Sequence, residues 1–171
     1  MHFKIKCTID EEHINILNKL KGKKLLNIYV EDAGDFALHI ALETETQKLL
    51  LISNKTITAS DDDDYPHFVI QKIETIDNEY TIKKINKIIN SISIIRDNST
   101  WHNSDHHWDT TCDAAIKLTL EDEFLYLIAH DSIAGFIKLE NMNDENKDDL
   151  VLKDYWAMKT DNLDSQDWVL V

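Results

Sequence analysis

The strongest constraint on this chain is that apolar residues fall at every second position, in run after run. Phe3, Ile5, Cys7 and Ile9 alternate with Lys4, Lys6 and Thr8. Successive side chains of a strand point to opposite faces, so such a run predicts a strand that buries one face. The same period returns from Leu25 in LLNIYV, FALHIALE, KLLLIS and HFVIQKIE, and again in SISII from Ser91. EDAG, TETQ and the acidic stretch 60–66 separate the first of these runs. Within that stretch Asp61, Asp62, Asp63 and Asp64 repel one another too strongly to share a strand, which predicts a solvated loop. With 3 glycines and 1 proline in the whole chain, turns must rest on Asn and Asp, which tolerate left-handed backbone.

Two segments carry a helical period instead. In DEEHINILNKLKG, Asp10 is placed to cap, Glu11 and Glu12 occupy the first turn, and Ile14, Leu17 and Leu20 form an apolar stripe. Lys19 and Lys21 suit the carboxyl end of the helix dipole, and Gly22 ends the element. In EYTIKKINKIIN, residues 79–90, Ile82, Ile85, Ile88 and Ile89 share one helical face. The density of β-branched side chains leaves a strand open there.

The runs also repeat. Residues 35–57 align with 113–133: Asp35 with Asp113, Ala37 with Ala115, Ile40 with Leu118, Leu42 with Leu120 and Glu43 with Glu121. After a gap of two residues, Leu49, Leu51, Ile52 and Ile57 meet Leu125, Leu127, Ile128 and Ile133. The expected fold is α+β and β-rich: two related antiparallel β-meander halves, each with a helix, in a single domain over 1–171. Half one covers about 24–90 and half two about 91–141. An acidic, Trp-containing segment follows over 142–171, in which DLVLKDYWAMKT and DWVLV read as strands and Trp156 and Trp168 pack back onto the body. In the first half EDAG joins two strands. In the second, RDNSTWHNSDHHWDTTCD stands at the same place and reads as an insertion on a connecting loop, where function tends to concentrate.

Composition bounds the function. The 32 acidic residues outweigh 18 basic ones for a formal net charge of −14. Such a surface repels phosphate, which argues against direct binding of nucleic acid or an anionic membrane. It would steer a basic protein partner. Cys7 and Cys112, far apart and without CxxC spacing, fit a reducing compartment. No secretory signal or membrane-length apolar run is visible, so a soluble cytoplasmic protein is expected.

The insertion holds the candidate site. His102, His106 and His107 are chemically suitable metal ligands, but HxxxHH lacks the spacing of a zinc site, and no metal or cofactor is expected. Cys112 with His106 or His107 could form a nucleophile and base, yet Cys112 leads directly into a strand and reads as a half-buried structural thiol. No phosphate loop or GxSxG is present, so a non-enzyme is expected. Trp101 and Trp108 on an exposed loop, beside carboxylates, have the composition of a protein interface. The alternative is that both rings fold inward and pin the loop. His39, His67 and His130 fall at strand positions and read as structural.

The strand pair DAAIKLTLEDEFLYLIAHDSI with its preceding WD-containing loop resembles the immunity proteins of bacterial polymorphic-toxin and contact-dependent growth inhibition systems, over the second half of the chain. That resemblance implies a secreted toxin domain, of nuclease type, as a tightly bound partner. On this reading Asp61, Asp62, Asp63, Asp64, Asp105 and Asp109 would replace phosphates electrostatically, with Trp101, His106, His107 and Trp108 completing the contact. The alternative is a nucleic-acid-binding or metal-responsive regulatory β-module. Its lysines would lie at 19–24 and 83–87.

Overall fold

The computed structural model describes residues 1–46, 49–77, 79–130, 134–143, 148–149, 151 and 163–171. In chain order the elements are β1 (His2–Cys7), α1 (Glu11–Asn18), β2 (Lys24–Ala33), β3 (Phe36–Thr44), β4 (Leu49–Asn54), β5 (Ile57–Thr58), β6 (Asp64–Tyr65) and β7 (Phe68–Ile73). They continue with β8 (Thr81–His102), β9 (His107–Leu120), β10 (Phe124–Ala129), β11 (Ile137–Met142) and β12 (Ser165–Leu170). The chain is β-rich, and most strands join one large mixed sheet, while β5 and β6 pair only with each other.

The pairing path closes on itself. β8 pairs with β2 along its first third and with β9 along the rest, and β9–β10–β11–β3–β2 completes the ring, antiparallel at every step. β4 extends from β3 and β7 from β4. β1 lies parallel on β9, and β12 lies antiparallel on β8. The alternating residues Ile28, Val30, Ile40, Leu42, Leu50 and Ile52 fill the core, as the period of two requires.

The second helix expected over 79–90 is instead the start of β8. Tyr29 is in register with Ile82, and Lys24 with Ile88. β2 offers a ladder of backbone partners there, and β-branched isoleucines suit the pleat. The register shifts between Leu25 and Asn27, opposite Lys87 and Lys84, and Asn86 takes φ 60°. That is a bulge, built on a residue type that tolerates left-handed backbone. It sends the four isoleucines to different surroundings: Ile89 is buried, while Ile82 is 56% exposed. Besides α1, the only helical residues among those described are Asp148, Asp149 and Val151. The strand expected over 149–160 and Trp156 otherwise lie outside the described residues. DWVLV does form strand, in β12, and Trp168 packs against the core and donates Nε1 to Asp149 Oδ1 at 3.0 Å.

Helix α1 forms where expected and buries Leu17, but the Asp10 carboxylate does not cap it. Asp10 Oδ2 instead lies 3.9 Å from His67 Nε2. After α1 the chain turns through Gly22, at φ 79°. Gly22 N and Lys23 O both bond to Ile89, which starts the β2–β8 ladder.

Two ion pairs are buried beneath these elements. Asp113, 1% exposed, accepts from Arg96 Nε at 2.7 Å, from Arg96 Nη2 at 3.0 Å and from the Ile9 backbone N–H at 2.6 Å. The carboxylate therefore joins β8, β9 and the chain leading into α1, at a bulge where Ile95 faces Ala115 and Arg96 faces Asp113. Its hydrogen bonds hold the Arg96 pKa above the usual guanidinium value. Lys117 is buried against both oxygens of Asp148, at 3.0 and 3.2 Å, and the Tyr126 hydroxyl donates to the same carboxylate at 2.8 Å. Removing one member of such a set leaves a buried charge without its partner. Asp113→Ala is expected to lower stability by about 3–5 kcal/mol, read from urea unfolding at neutral pH. A loss below about 1 kcal/mol would show that the Asp113 bonds contribute little.

Candidate functional site

The stretch 99–116 is not a loop insertion. It is the far end of the β8–β9 hairpin, closed by a turn at 103–106. Asn103 N donates to His106 O at 3.0 Å, and Asn103 Oδ1 accepts from His106 N at 3.1 Å, so one asparagine side chain shapes the turn. Trp101 is in register with Trp108, and His102 with His107. The signal was present in the sequence as a mirror pattern, Trp101-His102 before the turn and His107-Trp108 after it.

Alternation then separates the cluster by chemistry. Trp101 and Trp108 share the inward face and stack at 5.7 Å with planes 8° apart. Phe3 of β1 stacks on Trp108 at 5.4 Å. Trp101 is only 9% exposed and Trp108 half-buried, so they are not free anchors on an open loop. Burying aromatic surface is worth more here than exposing it, and the rings pin the hairpin.

On the outward face, His2, His107 and His102 stand in line across β1, β9 and β8. His107 lies 5.8 Å from each of the other two rings, centroid to centroid. His2 Nε2 lies 2.7 Å from Asp109 Oδ2, and His102 Nδ1 lies 2.6 Å from Asp164 Oδ2. His106, in the turn, stacks on Phe3 at 5.7 Å. His2, His102, His106 and His107, with Asp105, line a depression of about 460 Å³ at the hairpin tip. Among the described residues no group of three or more His, Cys, Asp or Glu side chains is arranged to hold a metal ion. Cys112 is buried completely, in register with the buried Cys7, and so is further inside than the half-buried thiol expected.

Asp61 to Asp63 lie in the turn between β5 and β6, with Asp62 at φ 62°, whereas Asp64 opens β6 in register with Thr58 and so is not the loop residue expected. Asp62 and Asp63 are exposed, whereas Asp64 accepts from Thr58 Oγ1 at 2.7 Å. Asp61 has another role. Its Oδ2 accepts from Trp108 Nε1 at 2.8 Å and from the Tyr65 hydroxyl at 2.8 Å. Burial, and then the Asp61 carboxylate, push the Tyr65 pKa well above the usual phenol value. The acidic turn and the hairpin tip, separate in sequence, thus meet at one carboxylate.

Sequence reasoning passed over His2 and Asp164, because each reaches the site by long-range pairing that no local pattern encodes, and over Tyr65, which bonds Asp61 four residues away across the short β5–β6 hairpin. It also treated the lysines at 19–24 and 83–87 as separate. The β2–β8 ladder carries both groups: Lys24 lies next to Lys87, which is paired with Asp122 at 2.7 Å and Glu123 at 2.9 Å, while Lys84 and Lys83 lie further along, opposite Asn27 and Ile28. His39 Nδ1 lies 2.5 Å from Glu31 Oε2, and His130 stacks on Phe36 at 4.2 Å.

Trp108→Phe keeps an aromatic ring in the stack and removes the bond to Asp61. It is expected to cost about 1–2 kcal/mol in urea unfolding and to raise amide exchange in the β5–β6 turn. Unchanged exchange at Asp62 and Asp63 would show that the two segments are not tied through this bond. No protein-family model, curated protein or solved structure matches the chain.

Proposed function

We propose that the protein is a non-enzymatic immunity protein that binds and neutralises a basic toxin domain, of nuclease type, through its acidic surface. The supporting observation is the Asp61 joint, which sets the exposed carboxylates of Asp62 and Asp63 beside the hairpin that carries Asp105, His106, His107 and Asp109. Carboxylates held at fixed positions on a chain of net charge −14 attract a cationic surface and raise the encounter rate. The roles divide differently from the sequence expectation. Trp101 and Trp108 hold the surface from beneath, while His102 and His107 face the partner and His106, packed on Phe3 and Trp108, is the least open of the three. The buried cysteines Cys7 and Cys112, without CxxC spacing, accord with a cytoplasmic site of action. No helix among the described residues is long and apolar enough to cross a membrane. We also read the aligned segments 35–57 and 113–133, which contain the β3–β4 and β9–β10 hairpins, as related halves.

The test is capture of binding proteins from the native host on immobilised protein, followed by association kinetics. A single stoichiometric basic protein, toxic when produced alone, is expected. Asp62→Lys with Asp63→Lys is expected to slow its association roughly tenfold at low salt and to flatten the salt dependence. A wild-type association rate that does not respond to salt would sink the steering argument.

A second reading rests on the lysines of the β2–β8 ladder. Lys83 and Lys84 are exposed there, opposite Ile28 and Asn27, with half-buried Lys24 further along opposite Ile88, and such lysines could meet a phosphate backbone. Filter binding of single-stranded nucleic acid at low salt separates the two. The immunity reading expects no retention, and retention abolished by Lys83→Glu with Lys84→Glu would favour the nucleic-acid reading.

A further inference from the structure

A second recess lies at the other end of β8 from the hairpin tip. It has a volume of about 490 Å³, within the range of roughly 300–1,000 Å³ typical of ligand sites. Tyr29, Ile82 and Tyr80 supply its apolar surface, and Glu43, Glu74 and Asp77 its charge. The fold builds it from separate elements. Tyr29 and Ile82 face each other across the β2–β8 ladder, Glu43 comes from β3, and the segment between β7 and β8 brings Glu74, Asp77 and Tyr80.

The phenols are fixed by carboxylates. The Tyr29 hydroxyl donates to Glu43 Oε2 at 2.8 Å, and Asn27 Nδ2 donates to the same oxygen at 2.6 Å. The Tyr80 hydroxyl donates to Glu31 Oε2 at 3.2 Å. The hydrogen bond to Glu43, then burial, raise the Tyr29 pKa, and burial, then the Glu31 charge, push Tyr80 up to about 12. Both phenols therefore report a negative surrounding. No cationic side chain lines the recess among the described residues, and Glu43, Glu74 and Asp77 have no ion pair there.

A recess lined by tyrosines, an exposed isoleucine and carboxylates that make no ion pair among the described residues fits one kind of side chain. An apolar stem covers Ile82, a planar cation lies against a tyrosine face, and its N–H groups reach the carboxylates. Arginine has that form, because its guanidinium stacks and bonds two carboxylate oxygens at once, whereas the lysine ammonium is a strongly hydrated point charge. We infer that this recess receives an arginine side chain of the basic partner. The inference rests on the immunity reading for the source of the arginine, and its chemistry is testable on the protein alone.

The experiment is an NMR titration of the full chain with N-acetyl-arginine methylamide, beside the lysine and citrulline counterparts. Citrulline keeps the shape of arginine and removes the charge. Saturable shifts at Tyr29, Thr75, Tyr80 and Ile82 are expected with the arginine probe, together with at least about fivefold weaker binding of the other two. Glu74 and Asp77 are exposed, so Glu74→Gln with Asp77→Asn leaves the fold intact and is expected to weaken arginine binding roughly tenfold. Equal binding of citrulline or lysine would overturn the assignment, as would equal shifts at Asp62 and Asp63. Failure to capture a basic protein from the host would instead remove the partner, while the titration still reads the recess.

Discussion

Strand β8 is the constraint on which the rest of the molecule depends. Residues 81–88 pair with β2, 89–102 with β9, and 95–100 also carry β12. A strand has two edges, so one long segment closes the ring and also supports the extension that ends at the hairpin tip. The bulge at Asn86 lies within the β2 ladder, ahead of the β9 ladder, where the strand must bend. Had 79–90 formed a helix, β2 would keep β3 but lose β8, the ring would open, and the recess between Tyr29 and Ile82 would not exist.

The buried charges act on this frame as register marks. β9 is buried almost continuously from Cys112 to Leu118, because it is covered on both faces. Apolar packing alone tolerates sliding of such a strand. Asp113 and Lys117 do not, since a slip would separate each from Arg96 or Asp148 and strand a charge in the interior. Charges of this kind contribute little to net stability when paired and cost several kcal/mol when parted, so they select one arrangement over its neighbours.

Much of this was legible. Periodicity located β1 to β4, β7, the SISII part of β8, the AAIKLTLE part of β9 and β10, but not β11, and charge repulsion pointed to the exposed turn at Asp62 and Asp63. The failures have physical causes. Isoleucines at 82, 85, 88 and 89 satisfy a helical period only because the Asn86 bulge interrupts the strand period. The hairpin tip read as a loop because its polar residues hide an alternation that emerges only once Trp101 is set against Trp108. Asp10 had the right identity for a cap but a competing neighbour in His67. At the candidate site, the sequence supplied the exposed carboxylates but not their meeting point. The bond from Trp108 to Asp61 spans residues far apart in the chain, and no local pattern specifies it. The tyrosine recess was missed for the same reason.

The division of the hairpin tip, His106 apart, into an aromatic face and a histidine face has a consequence for how such a surface can change. Phe3, Trp101 and Trp108 carry the packing, and His2, His102 and His107 carry almost none of it. Substitutions at the outward positions fall where surface changes typically cost under about 0.5 kcal/mol. The tip can therefore exchange one set of outward side chains for another without the fold having to be solved again.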